Sequence, residues 1–137
     1  MAAAMRGEKE PPPSNSSPFA HRVHRRWLMA LPVRGVLHID AGAARALTDG
    51  SSLFGAGVRV AEGRFGERDA VRIVDEGGVE VARAIANYAA EQASRLCGAQ
   101  SKEIARRVGY PGPEEMCHRR NIVLLNASRE KAPEELG

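Results

Sequence analysis

Hydrophobic and polar residues alternate with a period of two in three stretches, at residues 58–61, 71–74 and 79–81. A period of two is typical of β-strands that bury one face. The segment 75–78, with the sequence Asp-Glu-Gly-Gly, separates the last two stretches and is a strong turn signal. The sequence therefore predicts three strands, of which the last two form a hairpin.

A different spacing is found nearer the start of the chain. Residues 21–31 show helical spacing, with a basic side and an apolar side, and Pro32 ends the predicted helix. The apolar side consists of Val23, Trp27, Leu28 and Leu31. Its basic side could bind RNA, an acidic partner or a membrane surface, but a solvated linker helix with Trp27 packed on the following domain is the favoured interpretation.

Two short apolar runs, at residues 36–39 and 122–125, predict the first and last strands of the domain. A helix is predicted directly after the first of these strands. Asp40 precedes its alanine-rich sequence and is interpreted as the N-cap rather than as a site residue, and Gly50 is the stop signal.

Two further short helices are predicted before the last strand. The first covers residues 91–96 and is closed by Gly98, and the second is capped by Ser101 and stopped by Gly109. The fold class predicted from this order is mainly β with short helices (α+β). We expect about five to six strands to curl into a pseudo-barrel, because closure removes exposed strand edges.

The chain is long enough for one domain with one core. We expect a disordered leader at 1–20, a basic linker helix at 21–31, the folded domain at 32–125 and a polar tail at 126–137. Of the net charge of +3, residues 1–31 contribute +3, residues 32–125 contribute +1 and the tail contributes −1. The charge of the folded part alone therefore gives little support for nucleic-acid binding.

The chemistry-bearing residues are few. Cys97 and Cys117 are the two cysteines of the chain, and without a C-x-x-C pair they predict buried or half-buried thiols rather than a zinc site or a disulfide framework. The chain has no apolar run long enough to span a membrane and no secretory signal, so we expect a cytoplasmic protein that binds neither membrane nor metal. No set of residues predicts a catalytic site.

Four segments, taken in order, resemble one known family. They are residues 35–43 (GVLHIDAGA), 50–58 (GSSLFGAGV), 60–71 (VAEGRFGERDAV) and 101–124, which includes SKEI, GY, HR and NIVL. Together they are similar to the PUA domain at the C-terminus of bacterial glutamate 5-kinases. The resemblance implies that ATP and magnesium are used only by a separate amino-acid-kinase domain, which this chain lacks, and that no cofactor binds here.

Three departures from the family's pattern stand out. Glu67-Arg68-Asp69 replaces Arg-Gly-Asp, which puts the positive-φ geometry of that turn in doubt. His118-Arg119-Arg120-Asn121 replaces His-Arg-Asp-Asn, so that a cation stands where the family has a carboxylate. Ala89-Ala90 replaces two serines, so that a helix cap is lost. These changes are consistent with relaxed constraint or with a fragment.

PUA domains elsewhere bind RNA, and the resemblance transfers five candidate contacts to this chain: Arg45, Arg59, Arg64, His118 and Arg119. For the first three, the alternative is a solvated face that also carries acids. For His118 and Arg119, the alternative is a loop held by side-chain hydrogen bonds before the closing strand.

Two functions follow from the resemblance. The first is a non-catalytic domain of a glutamate 5-kinase, in proline biosynthesis, with a regulatory or assembly role and present as a truncated or split form. Its partners would be a kinase domain or further copies of the chain. The second is a free-standing RNA-binding module whose partner is structured RNA.

Overall fold

A computed structural model of the chain describes residues 18–125. The helices are α1 (Pro18–Ala30), α2 (Ala41–Thr48), α3 (Ala90–Arg95) and α4 (Ile104–Val108). The strands are β1 (Val33–Ile39), β2 (Leu53–Phe54), β3 (Val58–Gly63), β4 (Ala70–Val74), β5 (Glu80–Ile85), β6 (Glu115–Cys117) and β7 (Ile122–Leu124). Short 3-10 turns occupy Gly55–Gly57, Ser101–Glu103 and Arg119–Asn121.

The strands form two sheets. The larger sheet has the order β3-β1-β4-β5-β7, and β2 pairs with β6 in a separate two-stranded sheet. Neighbours in the larger sheet are antiparallel except β1 and β4, which are parallel. The predicted hairpin is confirmed as β4 and β5. The α+β class is confirmed as well, and the described residues contain seven strands where about five to six were predicted.

The main core lies between the larger sheet, α2, α3 and the two-stranded sheet. Strand β1, the second in the order of the larger sheet, contributes Leu37 and Ile39, both 0% exposed, because alternate residues of a strand point to one face. Most other members of this core are Val, Leu, Ile and Ala, and Phe65 and Tyr88 are its aromatic side chains.

A second, smaller core joins α1 to the back of the sheet. Leu28 is fully buried there against Ala70, Ile85 and Val123, and Trp27 is half-buried beside them. The predicted packing of Trp27 on the domain is thus confirmed. The helix begins three residues earlier than predicted, at Pro18. The rest of the predicted leader, and the predicted tail at 126–137, lie outside the described residues.

Local signals set most element ends. The Asp40 side chain accepts a hydrogen bond of 2.8 Å from the backbone N–H of Ala43, which confirms it as the cap of α2. Ala89 stands at the N-cap of α3 without a side-chain hydrogen bond, as the lost serines imply. The prediction for Ser101 is wrong. Gln100 occupies the cap position, and its backbone N–H donates to the Glu103 carboxylate at 3.2 Å, because Glu103 stands three residues further on.

The turn between β3 and β4 keeps a left-handed residue without a glycine. Arg68 has φ of 75°, which a side chain with a Cβ adopts only at a cost in free energy. Its backbone N–H donates to the backbone carbonyl of Ala86 at 2.8 Å, and the side-chain carboxylate of Asp69 accepts from the backbone N–H of Gly66 at 2.7 Å. The doubt raised by the sequence is therefore resolved: the turn geometry persists, and Arg68 carries the strain.

Candidate functional site

The structure separates the three arginines predicted to face RNA. Arg45 is exposed on α2, and Arg59 and Arg64 stand near opposite ends of β3. Arg59 is already engaged, because its Nη1 lies 2.9 Å from Oε2 of Glu76 in the β4–β5 turn. These three side chains therefore do not form one connected basic surface.

The other two predicted residues lie together in the turn before β7. Nδ1 of His118 accepts a hydrogen bond from the backbone N–H of Arg120 at 3.1 Å. The backbone N–H of Arg119 donates to Oγ of Ser52 at 2.8 Å, and that of Asn121 donates to the His118 carbonyl at 2.8 Å. The turn is thus held by its own hydrogen bonds and by the loop after α2, while the Arg119 and Arg120 side chains are exposed.

A cleft of about 370 Å³ lies beside this turn, between α1, the loop after α2 and strand β7. Its walls come from segments that are far apart in the chain. The lining residues are His24, Arg25, Gly50, Arg119, Arg120, Ile122, Val123 and Leu124. Of the five predicted contacts, Arg119 lines this cleft.

The cleft is electropositive. Three guanidinium groups line it, and none of the described residues in its lining is acidic. Nη1 of Arg25 donates to the backbone carbonyl of Leu124 at 3.2 Å, which fixes this side chain against the last strand. Guanidinium groups present planar, always charged donors that match carboxylate and phosphate oxygens, so the arrangement suits an anion.

Six arginines outside the cleft are neutralised locally by acidic side chains. Ion pairs join Arg59 to Glu76, Arg72 and Arg83 to Glu80, Arg95 to Glu91, and Arg106 and Arg107 to Glu103. Exposed pairs of this kind add little stability. They do, however, reduce the positive field around these six arginines, whereas the cleft beside β7 has no acidic residue in its lining.

Sequence reasoning did not assign Arg25 and Arg120 to a site. Arg25 belongs to the basic side of the predicted helix, and Arg120 replaces the family's carboxylate, so each carried a signal. Their meeting depends on the docking of α1, which brings Arg25 to a carbonyl 99 positions further along the chain. No local pattern reports such a contact.

A second cleft, of about 400 Å³, lies between β3 and the β4–β5 turn. Charges of both signs line it, and they pair with one another: His38 Nε2 lies 2.8 Å from Glu62 Oε1, and Arg59 is held by Glu76. A charged ligand would have to break these pairs. This cleft is therefore the weaker candidate.

The thiols are placed as predicted, with Cys117 buried and Cys97 half-buried. Burial raises the pKa of both thiols, which keeps them protonated and poorly reactive. Within residues 18–125, no group of three or more His, Cys, Asp or Glu side chains could hold a metal ion. In the same part of the chain, no helix has the length and apolar character needed to span a membrane.

Comparison with known proteins gives one family model, the PUA domain, which matches residues 35–108. The chain is 43% identical over 112 residues to a glutamate 5-kinase of Moorella thermoacetica, covering 79% of this chain and 30% of that protein. It is 40% identical over 109 residues to one of Acaryochloris marina, covering 78% of this chain and 29% of that protein. The match is to the C-terminal region of these proteins.

Among solved structures, a PUA domain from Aeropyrum pernix is 24% identical, with a TM-score of 0.47, and the match covers 69% of this chain and 48% of that one. The chain spans about 30% of the length of the glutamate 5-kinases that it matches. The family model covers more than half of the chain and includes most of β1, the capped helix α2 and the Arg68 turn. The chain therefore belongs to the PUA domain family.

Proposed function

We propose that this chain is a non-catalytic PUA domain of a glutamate 5-kinase, acting in regulation or assembly of the kinase. The observation that carries the proposal is the 40–43% identity over 78–79% of this chain to the C-terminal region of glutamate 5-kinases. In this account, another polypeptide segment supplies the kinase domain, and the setting is the cytoplasm. ATP and magnesium would bind only to that kinase domain.

The described surface supports a role without chemistry of its own. General acid–base or nucleophilic catalysis needs a proton-transfer group or nucleophile within hydrogen-bond reach of a partner that activates it. The raised pKa of Cys97 and Cys117 disfavours the thiolate, and His118 uses Nδ1 to hold a backbone N–H. These groups serve the fold, which is what an accessory domain requires.

The alternative function is a free-standing RNA-binding module. RNA recognition by a folded domain calls for cations that follow the phosphate backbone over several nucleotides. Arg59 is tied to Glu76, and Arg64 stands near the other end of β3 from it, so these predicted contacts do not form such a track. We therefore rank the accessory role above the RNA-binding role.

An activity assay with the purified chain tests the first proposal. The chain alone, incubated with glutamate, ATP and magnesium, should give no phosphorylation, and adding it to a kinase domain that lacks its own C-terminal part should change that domain's activity or assembly. Phosphorylation by the chain alone would overturn the proposal. For the alternative, binding of structured RNA that weakens steeply with salt would favour the RNA-binding role instead.

A further inference from the structure

We propose that the cleft between α1 and β7 is a binding site for a compact ligand that carries one or two phosphate groups, held by Arg25, Arg119 and Arg120. This inference goes beyond the accessory role and does not depend on it. It concerns residues that mostly lie outside the segment matched by the family model, since of the lining residues only Gly50 falls within residues 35–108.

Positive charge from two separate parts of the chain converges on this cleft. Arg25 reaches the cleft from α1, and Arg119 and Arg120 reach it from the turn that precedes β7. Like charges that share one small space repel each other, and a bound anion relieves this repulsion. No ion pair to Arg119 or Arg120 is found among the described residues, so both guanidinium groups keep their donors for a ligand.

The hydrogen-bond donors that remain for a ligand in this cleft are side chains. The backbone N–H groups of Arg119, Arg120 and Asn121 are all used within the protein, by Ser52 Oγ, His118 Nδ1 and the His118 carbonyl. An anion in this cleft would therefore be held by side chains. The turn's hydrogen bonds fix the backbone from which two of those side chains project.

The volume of the cleft also suits a small ligand. A space of about 370 Å³ lies at the lower end of the range for small-molecule sites, which is roughly 300–1,000 Å³. The Ile122 and Leu124 side of the cleft is apolar and suits a non-phosphate portion of a ligand. A polynucleotide would instead need a basic track that continues beyond the cleft, and six arginines elsewhere are occupied by ion pairs and would not contribute to one.

The shared chemistry of such ligands is a terminal phosphate or diphosphate group. Calorimetric titration of the full chain with inorganic phosphate, pyrophosphate and ADP distinguishes its possible sources. We expect pyrophosphate or ADP to bind with a dissociation constant below about 1 mM at low salt. If ADP binds more tightly than pyrophosphate, the apolar wall contributes, and equal affinities assign the binding to the phosphates alone.

Two variants and a matched control connect the binding to this cleft. Arg119→Ala and Arg120→Ala should each weaken pyrophosphate binding by about tenfold, because each removes a charge-assisted interaction. Arg64→Ala removes an exposed arginine outside the cleft and should leave the affinity within about twofold, since distant exposed charges are screened. Circular dichroism checks that the variants are folded.

A measurement on the unaltered chain keeps the test decisive if a variant fails to fold. In nuclear magnetic resonance titrations with pyrophosphate, the amide signals of Gly50 and Ile122 should shift most, and those of Gly78 should stay in place. No binding at about 10 mM pyrophosphate would overturn the proposal. The proposal would also be overturned by chemical-shift changes centred on the β3 cleft, or by an effect of Arg64→Ala on affinity equal to that of Arg119→Ala. Much tighter binding of a short single-stranded RNA than of pyrophosphate would overturn it as well.

Discussion

Phe65 lies directly against the α-carbon of Gly35, so that a methyl group at residue 35 would overlap Cδ2 of the ring. The same methyl group would stand 2.6 Å from the backbone carbonyl of Glu62 on the neighbouring strand. Phe65 is 3% exposed and belongs to the main core, so its ring has little room to move aside. The close approach of β1, β3 and this ring thus depends on glycine at residue 35.

Gly35→Ala should lower the free energy of unfolding by about 1–3 kcal/mol, the usual cost of forcing extra volume into a packed core. Urea denaturation measures the change. Gly42→Ala is the matched control, because its new methyl group would meet nothing closer than 3.5 Å and would lie in α2. Equal effects of the two substitutions would contradict the packing described for Phe65.

Arg68→Gly should stabilise the protein. The φ of 75° costs a residue with a side chain about 1 kcal/mol, and glycine removes this strain while adding flexibility to the unfolded chain. We expect a net gain of up to about 1 kcal/mol in thermal or chemical denaturation. Arg64→Gly, at a residue without positive φ, should destabilise, and a loss of stability in Arg68→Gly would argue against the strained turn.

Asp40→Ala should cost about 1 kcal/mol of stability, because the N–H of Ala43 loses the carboxylate oxygen that accepts its hydrogen bond at 2.8 Å. Asp40→Ser retains an N-cap oxygen and should remain close to the unaltered protein in the same denaturation experiment. A serine variant as unstable as the alanine variant would show that Asp40 acts through something other than capping.

Tyr88 predicts a loss of stability at alkaline pH. Burial raises the pKa of Tyr88 to about 12, and the charges of Tyr110 and Glu67 add to the shift. In the unfolded chain this phenol ionises near pH 10. Below about pH 10 it is therefore protonated in both states, and its titration does not change the free energy of unfolding. The free energy of unfolding then falls by up to about 1.4 kcal/mol per pH unit as the pH rises towards 12.

Tyr88→Phe should remove this part of the alkaline fall, and Tyr110→Phe, at a side chain that is 46% exposed, should retain most of it, because burial is the largest cause of the raised pKa of Tyr88. At neutral pH, Tyr88→Phe should lower the free energy of unfolding by about 1 kcal/mol, because the variant lacks the hydroxyl that donates to the carbonyl of Pro113. Denaturation curves between pH 7 and pH 12 measure both effects. An identical alkaline profile for the Tyr88 variant and the unaltered chain would refute this assignment.

The local features of this fold could be predicted from the sequence, and the long-range ones could not. Asp40 as a cap, the turn at 75–78 and the stop at Gly109 are set by residues a few positions apart, and each is found in the structure. The parallel pairing of β1 with β4 and the pairing of β2 with β6 depend on packing across the chain. Ser101 has a side chain typical of a cap, but Glu103 favours Gln100 at that position, because its carboxylate accepts from the Gln100 backbone N–H.

The candidate site shows the same limit. Arg119 and Arg59 are both candidate RNA contacts by resemblance. Arg119 lies in the basic cleft, whereas Arg59 is paired with Glu76. The difference between them is set by which acid the fold brings near each one. A sequence shows that an arginine is present, but the field around it depends on neighbours that are distant along the chain.

The proposed accessory role requires this PUA domain to associate with the kinase domain of a glutamate 5-kinase. The decisive measurement is sedimentation velocity with the purified chain and the kinase domain of the Moorella thermoacetica relative, made without its own C-terminal part. We expect a complex of the two at micromolar concentrations. Two species that sediment independently at all concentrations, together with tight binding of structured RNA by the chain alone, would contradict it.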